Sequence, residues 1–220
     1  MTTIRAVAFD FDDTISDWPA AVARAASLLE LELSPEAGDG FAERFLEAVA
    51  VHYPSRIPGP LFFEAHVPIG LANRHAADAN ALAERFRSLM HPVAFDDAQL
   101  ALEELSTRFP LAILSNNPYA PEALRLLGMA GHFASVITFS ETDEFAKPHA
   151  NAFAALAAGL DLPPAAILYV GDSITHDVEG ALAAGMPAAW LDRFGWTLEM
   201  PEGAHRITSL AELAGLVGRM

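Results

Sequence analysis

From Phe95 onward, short apolar runs alternate with stretches whose apolar residues recur at helical spacing. The spacing predicts helix Asp97 to Arg108, strand Leu111 to Leu114, helix Pro121 to Leu127 and strand Val136 to Phe139. Helix Asn151 to Gly159, strand Ala166 to Val170, helix Ile174 to Ala184, strand Ala188 to Leu191 and a closing helix Leu210 to Val217 follow. Few architectures accept such an order, because strands separated by helices build a parallel sheet with right-handed crossovers. The run Ile4 to Phe9 supplies one more strand, and the expected class is α/β.

Between Thr14 and Phe95 the pattern is helical for roughly 80 residues, over Pro19 to Leu31, Gly40 to Tyr53 and Asn73 to Met90. Pro54 to Pro68 is broken by four prolines and carries or adjoins His52, Tyr53, Arg56, Phe62, Phe63 and His66. These aromatics suit either the buried seam of a helical bundle or the lining of a substrate chamber. We therefore expect residues 1–15 and 92–220 to form one α/β core and residues 16–91 an inserted all-helical domain.

At 220 residues and 52% hydrophobic, the chain can bury a sizeable core. A formal net charge of −16 argues against a nucleic-acid partner or an anionic membrane surface, both of which need basic patches. The absence of cysteine excludes disulfides and thiolate metal sites. Met1 to Asp10 has no apolar stretch of signal-peptide length, and Gly159, Asp161, Pro163 and Pro164 break the apolar region from Pro148 to Gly171. The expectation is a cytoplasmic protein without a membrane span.

Polar residues gather where the predicted strands end. The first strand stops on Asp10-Phe11-Asp12-Asp13-Thr14, which puts two carboxylates at the strand edge where open α/β sheets hold ligands. A solvated acidic turn has the same composition. A calcium loop is less suited, since its sixth and twelfth positions need Gly and Glu and here hold Ile15 and Ala21. Leu114 is followed by Ser115-Asn116-Asn117, and Val170 by Gly171-Asp172-Ser173 and, further on, Asp177. Each taken alone reads equally as a turn or helix-cap signal. Of 13 basic side chains, 12 are arginine and one, Lys147, is lysine. It precedes Pro148 and a predicted helix, a loop position where a compact ammonium can meet an anion.

Asp10 to Thr14, Ser115-Asn116, Lys147-Pro148 and Gly171 to Asp177 together resemble the four ordered motifs of the haloacid dehalogenase-like superfamily, phosphatase branch, with an inserted helical cap. The resemblance covers nearly the whole core and implies a Rossmann-like doubly wound sheet, with Asp10 and Asp172 facing each other at a topological switch point. It implies that Asp10 is the nucleophile, forming an aspartyl-phosphate, and that Asp12 is the general acid and base. Mg²⁺ would be held by Asp10, the main-chain carbonyl of Asp12, and Asp172. Thr14, Ser115, Asn116 and Lys147 would contact the phosphoryl group, with Asp177 anchoring Lys147 or a metal-bound water. The implied substrate is a small phosphorylated metabolite.

Asp12 favours phosphate chemistry, because the dehalogenases of this superfamily lack an acid there. Phosphonate cleavage needs a cap lysine, and no lysine lies between Met1 and Ala146. Two residues depart from the commoner pattern: Asp13 stands where Gly is frequent, and Glu144 where a Gly often precedes the motif lysine. A sugar phosphomutase shares every core residue and remains open, and a phosphoreceiver module has no use for the helical insertion. Arg44, Arg56, Arg74, His52, His66 and His75 are the insertion's candidate substrate contacts.

Overall fold

The computed structural model of the protein describes residues 3–33, 39–52, 62–71, 79–142, 145–196 and 198–220. Residues 1–17 with 92–220 form one compact unit, and residues 18–91 form a second.

The first unit is built on a six-stranded parallel sheet: β1 (Ala6–Phe9), β2 (Leu111–Ser115), β3 (Phe133–Thr138), β4 (Ile167–Gly171), β5 (Ala188–Leu191) and β6 (His205–Ile207). Their order across the sheet is β3-β2-β1-β4-β5-β6. The chain therefore winds outward from β1 through β2 to β3, then returns to the other side of β1 for β4. That reversal is the topological switch point of a doubly wound sheet. Phe9 pairs with Ile113 on one side and Val170 on the other, so the residues following β1, β2 and β4 emerge along one edge.

Alternation within the strands explains why both faces are apolar. Val7, Phe9, Leu111, Ile113, Leu168 and Val170 pack on one face with helices Ala98–Ser106 and Leu213–Val217. Ala6, Ala8, Ala112, Leu114, Tyr169 and Trp190 pack on the other with helix Ala150–Leu160. A strand covered on both sides reads as a continuous apolar run. Each fully buried large side chain contributes on the order of 2 kcal/mol, and Phe9, Tyr169 and Trp190 are the bulkiest that the strands bury.

Three elements of the first unit differ from the sequence expectation. The strand β6 escapes hydrophobic patterning because only Ile207 of its three residues is buried. The strand β3 starts at Phe133, ahead of the apolar Val136-Ile137, because edge position leaves its first residues half exposed. The predicted helix Ile174 to Ala184 opens as a π-helix, Ile174–Glu179, before continuing as Gly180–Ala183.

The second unit contains helices Trp18–Glu32, Phe41–His52, Phe62–Gly70 and Ala79–Leu89. Val22, Ala25, Ala26, Leu29, Phe41, Phe45, Val67 and Phe86 form its core, with the Phe45 ring stacked on Phe41 at 5.6 Å and tilted against Phe86 at 4.8 Å. Helix Phe62–Gly70 lies in the stretch expected to be broken by prolines and carries Pro68 inside it. Tyr53 and Arg56, the side chains of His52, Phe62 and Phe63, and the first turns expected from Asn73 lie outside the described residues. Among the described residues, no helix is long and apolar enough to cross a membrane.

Candidate active site

Backbone pairing brings the motif residues together. The Asp10 N–H donates to the Val170 carbonyl at 2.9 Å, fixing the end of β1 against the end of β4, from which Gly171 and Asp172 emerge. Asp13 then takes φ 61°, the left-handed conformation that a short polar side chain tolerates, so it can replace Gly at this turn. The returning chain closes on itself: the Asp13 N–H bonds the Ser16 carbonyl at 2.8 Å, and the Ile15 and Ser16 N–H groups bond the Phe11 carbonyl.

Lys147 is 4% exposed. Its ammonium donates to Asp10 Oδ1 at 2.5 Å, Asp177 Oδ1 at 2.7 Å and the Tyr169 hydroxyl at 3.0 Å. The Tyr169 hydroxyl in turn donates to the Leu114 carbonyl at 2.9 Å. All three protons of the ammonium thus have acceptors, two at β1 and β4 and one on the helix that follows β4. Burial opposes the charge, but Asp10, Asp177 and Tyr169 outweigh it and hold the Lys147 pKa well above the ordinary lysine value. The Tyr169 hydroxyl is likewise pushed up by burial, against the pull of the ammonium.

Asp10, Asp172 and Asp177 are buried, with carboxylate oxygens within 4.8 Å of one another. Two carboxylates already oppose the single ammonium, and a third stands beside them. Burial pushes the Asp10 carboxyl up to about 6, with Lys147 pulling it down and Asp177 adding to the rise. The donor set is oxygen only, which suits a hard cation of the Mg²⁺ kind. Asp177 has one oxygen on Lys147 and the other accepting from the Ser173 N–H at 2.9 Å. The Asp172 carbonyl is held by the Trp190 indole N–H at 2.9 Å.

The structure places the other expected residues as follows. Ser115 is buried, and its hydroxyl accepts from the Asn117 N–H at 3.1 Å. The Asn116 side chain does not face the carboxylates: its Nδ2 donates to the Lys147 carbonyl at 3.1 Å and its Oδ1 accepts from the Lys147 N–H at 2.8 Å. It fastens the lysine loop to the end of β2. Thr14 is fully buried, with its hydroxyl lacking a hydrogen-bond partner among the described residues and its carbonyl accepting from Arg193 at 2.8 Å. Arg193 also forks onto Asp97 and lies 3.8 Å over the Phe95 ring. Asp12 is half buried, and both its oxygens receive the Asn117 side-chain amide, at 3.0 and 3.3 Å.

Asn117, Tyr169 and Arg193 were not among the residues the sequence singled out for the site. Tyr169 carried the clearest signal, a hydroxyl in an otherwise apolar buried strand, two residues ahead of Gly171. Of the candidate substrate contacts in the second unit, Arg44 donates through Nε to the Gly70 carbonyl at 3.0 Å, and His66 is buried edge-on to Phe45. Arg56, Arg74, His75 and the His52 side chain lie outside the described residues, as does Glu144.

A family model for haloacid dehalogenase-like hydrolases matches residues 4–185. Phosphoglycolate phosphatase of Yersinia pseudotuberculosis is 30% identical over 227 residues, covering 97% of this chain and 92% of that protein. The Escherichia coli 5-amino-6-(5-phospho-D-ribitylamino)uracil phosphatase YigB is 32% identical over 120 residues, 54% of this chain and 47% of that protein. Among solved structures, the magnesium-bound HAD-hydrolase YfnB of Bacillus subtilis superposes with a TM-score of 0.76 at 23% identity, covering 98% of this chain and 99% of that one. A 2-haloacid dehalogenase of Pseudomonas syringae gives 0.67 at 24% identity, covering 99% of each. These two structures speak for the fold.

Proposed function

Because the chain belongs to the haloacid dehalogenase-like hydrolase family, we propose that it is a Mg²⁺-dependent phosphatase of a small phosphorylated metabolite, acting through an aspartyl-phosphate on Asp10. The observation that carries this reading is the buried charge cluster, with Asp10, Asp172 and Asp177 around one ammonium at the carboxyl edge of β1 and β4. Phosphatases of the same family, similar to this chain over nearly its full length, support the choice of phosphate monoesters. So does the Asp12 carboxyl beside Asp10, which dehalogenation does not require.

Asp10 and Asp172 would hold Mg²⁺ through their carboxylates and Asp12 through its main-chain carbonyl. When bound, the ion offsets the charge between those carboxylates and a phosphoryl group. The protein's own residues account for the rest. An Asp10 oxygen attacks phosphorus as the bond to the leaving oxygen breaks. The bonding pair goes to that oxygen, which takes a proton from Asp12. The Asp12 carboxylate then takes a proton from water as the water oxygen attacks phosphorus and the bond from phosphorus to the Asp10 oxygen breaks, which returns Asp10 to its carboxylate, leaves Asp12 protonated and releases phosphate. Lys147 and the Ser115 hydroxyl are preorganised to meet charge on the phosphoryl oxygens, and Asp177 and Tyr169 hold Lys147 in place. The second unit, residues 18–91, is proposed as a cap that selects substrate.

Phosphate release from a panel of phosphorylated metabolites, with Mg²⁺ and with EDTA, tests the reading. We expect turnover of phosphate monoesters with Mg²⁺ and none in EDTA. Full activity in chelator would remove the metal from the proposal, and inertness toward every ester would remove the phosphatase.

A further inference from the structure

We propose that Asn117 is a positioning residue for proton transfer, its side-chain amide orienting the Asp12 carboxyl toward the leaving oxygen; this rests on the phosphatase reading above. Asn117 lies two residues beyond β2, in the turn that leads into helix Ala120–Leu126. Its conformation is determined from three directions. Its N–H donates to the Ser115 hydroxyl at 3.1 Å, its carbonyl accepts from the Ala120 N–H at 3.2 Å, and its Oδ1 accepts from the Tyr119 N–H at 2.9 Å. The last bond settles which way the amide points. A backbone N–H can only donate, so the atom facing Tyr119 is the oxygen, and the atom facing Asp12 is the NH₂ group.

That group reaches Asp12 Oδ2 at 3.0 Å and Oδ1 at 3.3 Å. A donor straddling both oxygens restrains rotation of the carboxyl about its bond to Cβ, a torsion that is otherwise broad. It also makes the two oxygens inequivalent. Oδ2 is the closer acceptor of the amide protons. Proton transfer in a transition state depends on such placement, and a misplacement of about 1 Å can cost on the order of 100-fold. Asn117 itself touches neither the phosphoryl-binding residue Lys147 nor the carboxylates Asp10 and Asp172 in any bond among the described residues. Its influence passes through Asp12 and the Ser115 hydroxyl.

The test separates a donor to Asp12 from a mere turn-former. Asn117→Asp keeps an oxygen for the Tyr119 N–H and so keeps the turn, but presents an acceptor to Asp12; Asn117→Ala removes both. The full chain with Mg²⁺ is assayed on phosphate monoesters graded from 4-nitrophenyl phosphate to simple alkyl phosphates, and kcat/KM is plotted against leaving-group pKa. This parameter reports only the steps through departure of the leaving group. A poor alkoxide leaving group needs its proton and nitrophenolate does not. Both variants are therefore expected to lose about 10- to 100-fold with alkyl phosphates and within about 3-fold with the nitrophenyl ester, steepening the plot. Equal losses across the series, or an Asn117→Asp enzyme matching the wild type, would overturn the assignment while leaving the phosphatase reading intact. A wild type inert toward the entire series would instead remove the phosphatase reading, and this inference with it.

Discussion

Asp10 holds a carboxylate in a place that burial makes unfavourable, and the consequence is measurable. Its folded-state value, about 6, lies above the ordinary 3.8. Between those values the folded protein keeps a proton that the unfolded chain has released. The contribution of Asp10 to stability therefore falls as pH rises from about 4 to about 6 and stays constant above that. Asp10→Asn imitates the neutral form. In EDTA it is expected to be more stable than the wild type at pH 7.5, with the gain vanishing toward pH 4, while turnover is abolished at every pH. Denaturant melts of both proteins at the two pH values check the sign. A variant less stable at pH 7.5 would mean that Lys147 needs the Asp10 charge more than the cluster is harmed by it. The residues most legible in the sequence, Asp10, Asp172, Asp177 and Lys147, are charged groups at strand ends or in the segments that follow them, and the fold does bring these four together. Asn117 was harder to read because an amide in a turn already has a local explanation, and only the three-dimensional path of β2 sets it against Asp12.

At the scale of elements, the turn from β4 into the π-helix depends on a missing side chain. A Cβ built on Gly171 would lie 2.4 Å from the Asp177 Cγ, closer than any real contact, so the Asp177 carboxylate occupies space that Gly leaves open. The wider π turn brings Asp177 back over the strand end, where it meets both Lys147 and the Ser173 N–H. Gly171→Ala is expected to destabilise by about 1–3 kcal/mol, the usual range for overpacking, and to push Asp177 off the ammonium. Thermal unfolding measures the first effect. The second is read from the acylation rate of Lys147, the chain's one lysine, which should rise as it loses a partner and its enclosure. An unchanged acylation rate would show that Asp177 can shift without releasing Lys147. Strands and helices with full apolar periods were legible to within a few residues, but the π turn was not, since its sequence reads as an ordinary helix start. Neither was helix Phe62–Gly70, where the prolines of the stretch outweighed the apolar pattern even though Pro68 sits inside the helix.

The path of the whole chain shows where the second unit enters and leaves the first. Ser16 pairs with Ala94 in an antiparallel bridge, the Asp17 N–H donates to the Val93 carbonyl at 2.7 Å, and the Phe95 N–H donates to the Ile15 carbonyl at 3.1 Å. The segments on either side of residues 18–91 thus run antiparallel through a single bridge, as the closing pair of a hairpin does. This pairing also accounts for a division at Asp17 and Pro92 where the sequence suggested 15 and 92: Ser16 and Asp17 are polar residues at the foot of a helical pattern, and their backbone bonds to Val93, Phe11 and Asp13 tie them to the sheet unit. The first unit has its own core on both faces of the sheet, built from residues 4–15 and 94–220. Its carboxylate cluster, Lys147, Asp12 and Asn117 all lie within it. Two-residue turns close antiparallel ribbons of this kind, and Asn-Gly is the preferred pair. Replacing residues 18–92 by Asn-Gly, so that the paired Asp17 and Val93 flank the turn, is therefore expected to yield a protein that unfolds cooperatively, is stabilised by Mg²⁺ as the full chain is expected to be, and hydrolyses 4-nitrophenyl phosphate with little discrimination among metabolites. Circular dichroism melts with and without Mg²⁺, followed by the substrate panel, decide it. Loss of the Mg²⁺ stabilisation in a protein that still melts cooperatively would show that the metal site needs residues of the second unit, and a non-cooperative melt would show that the sheet unit cannot stand without it.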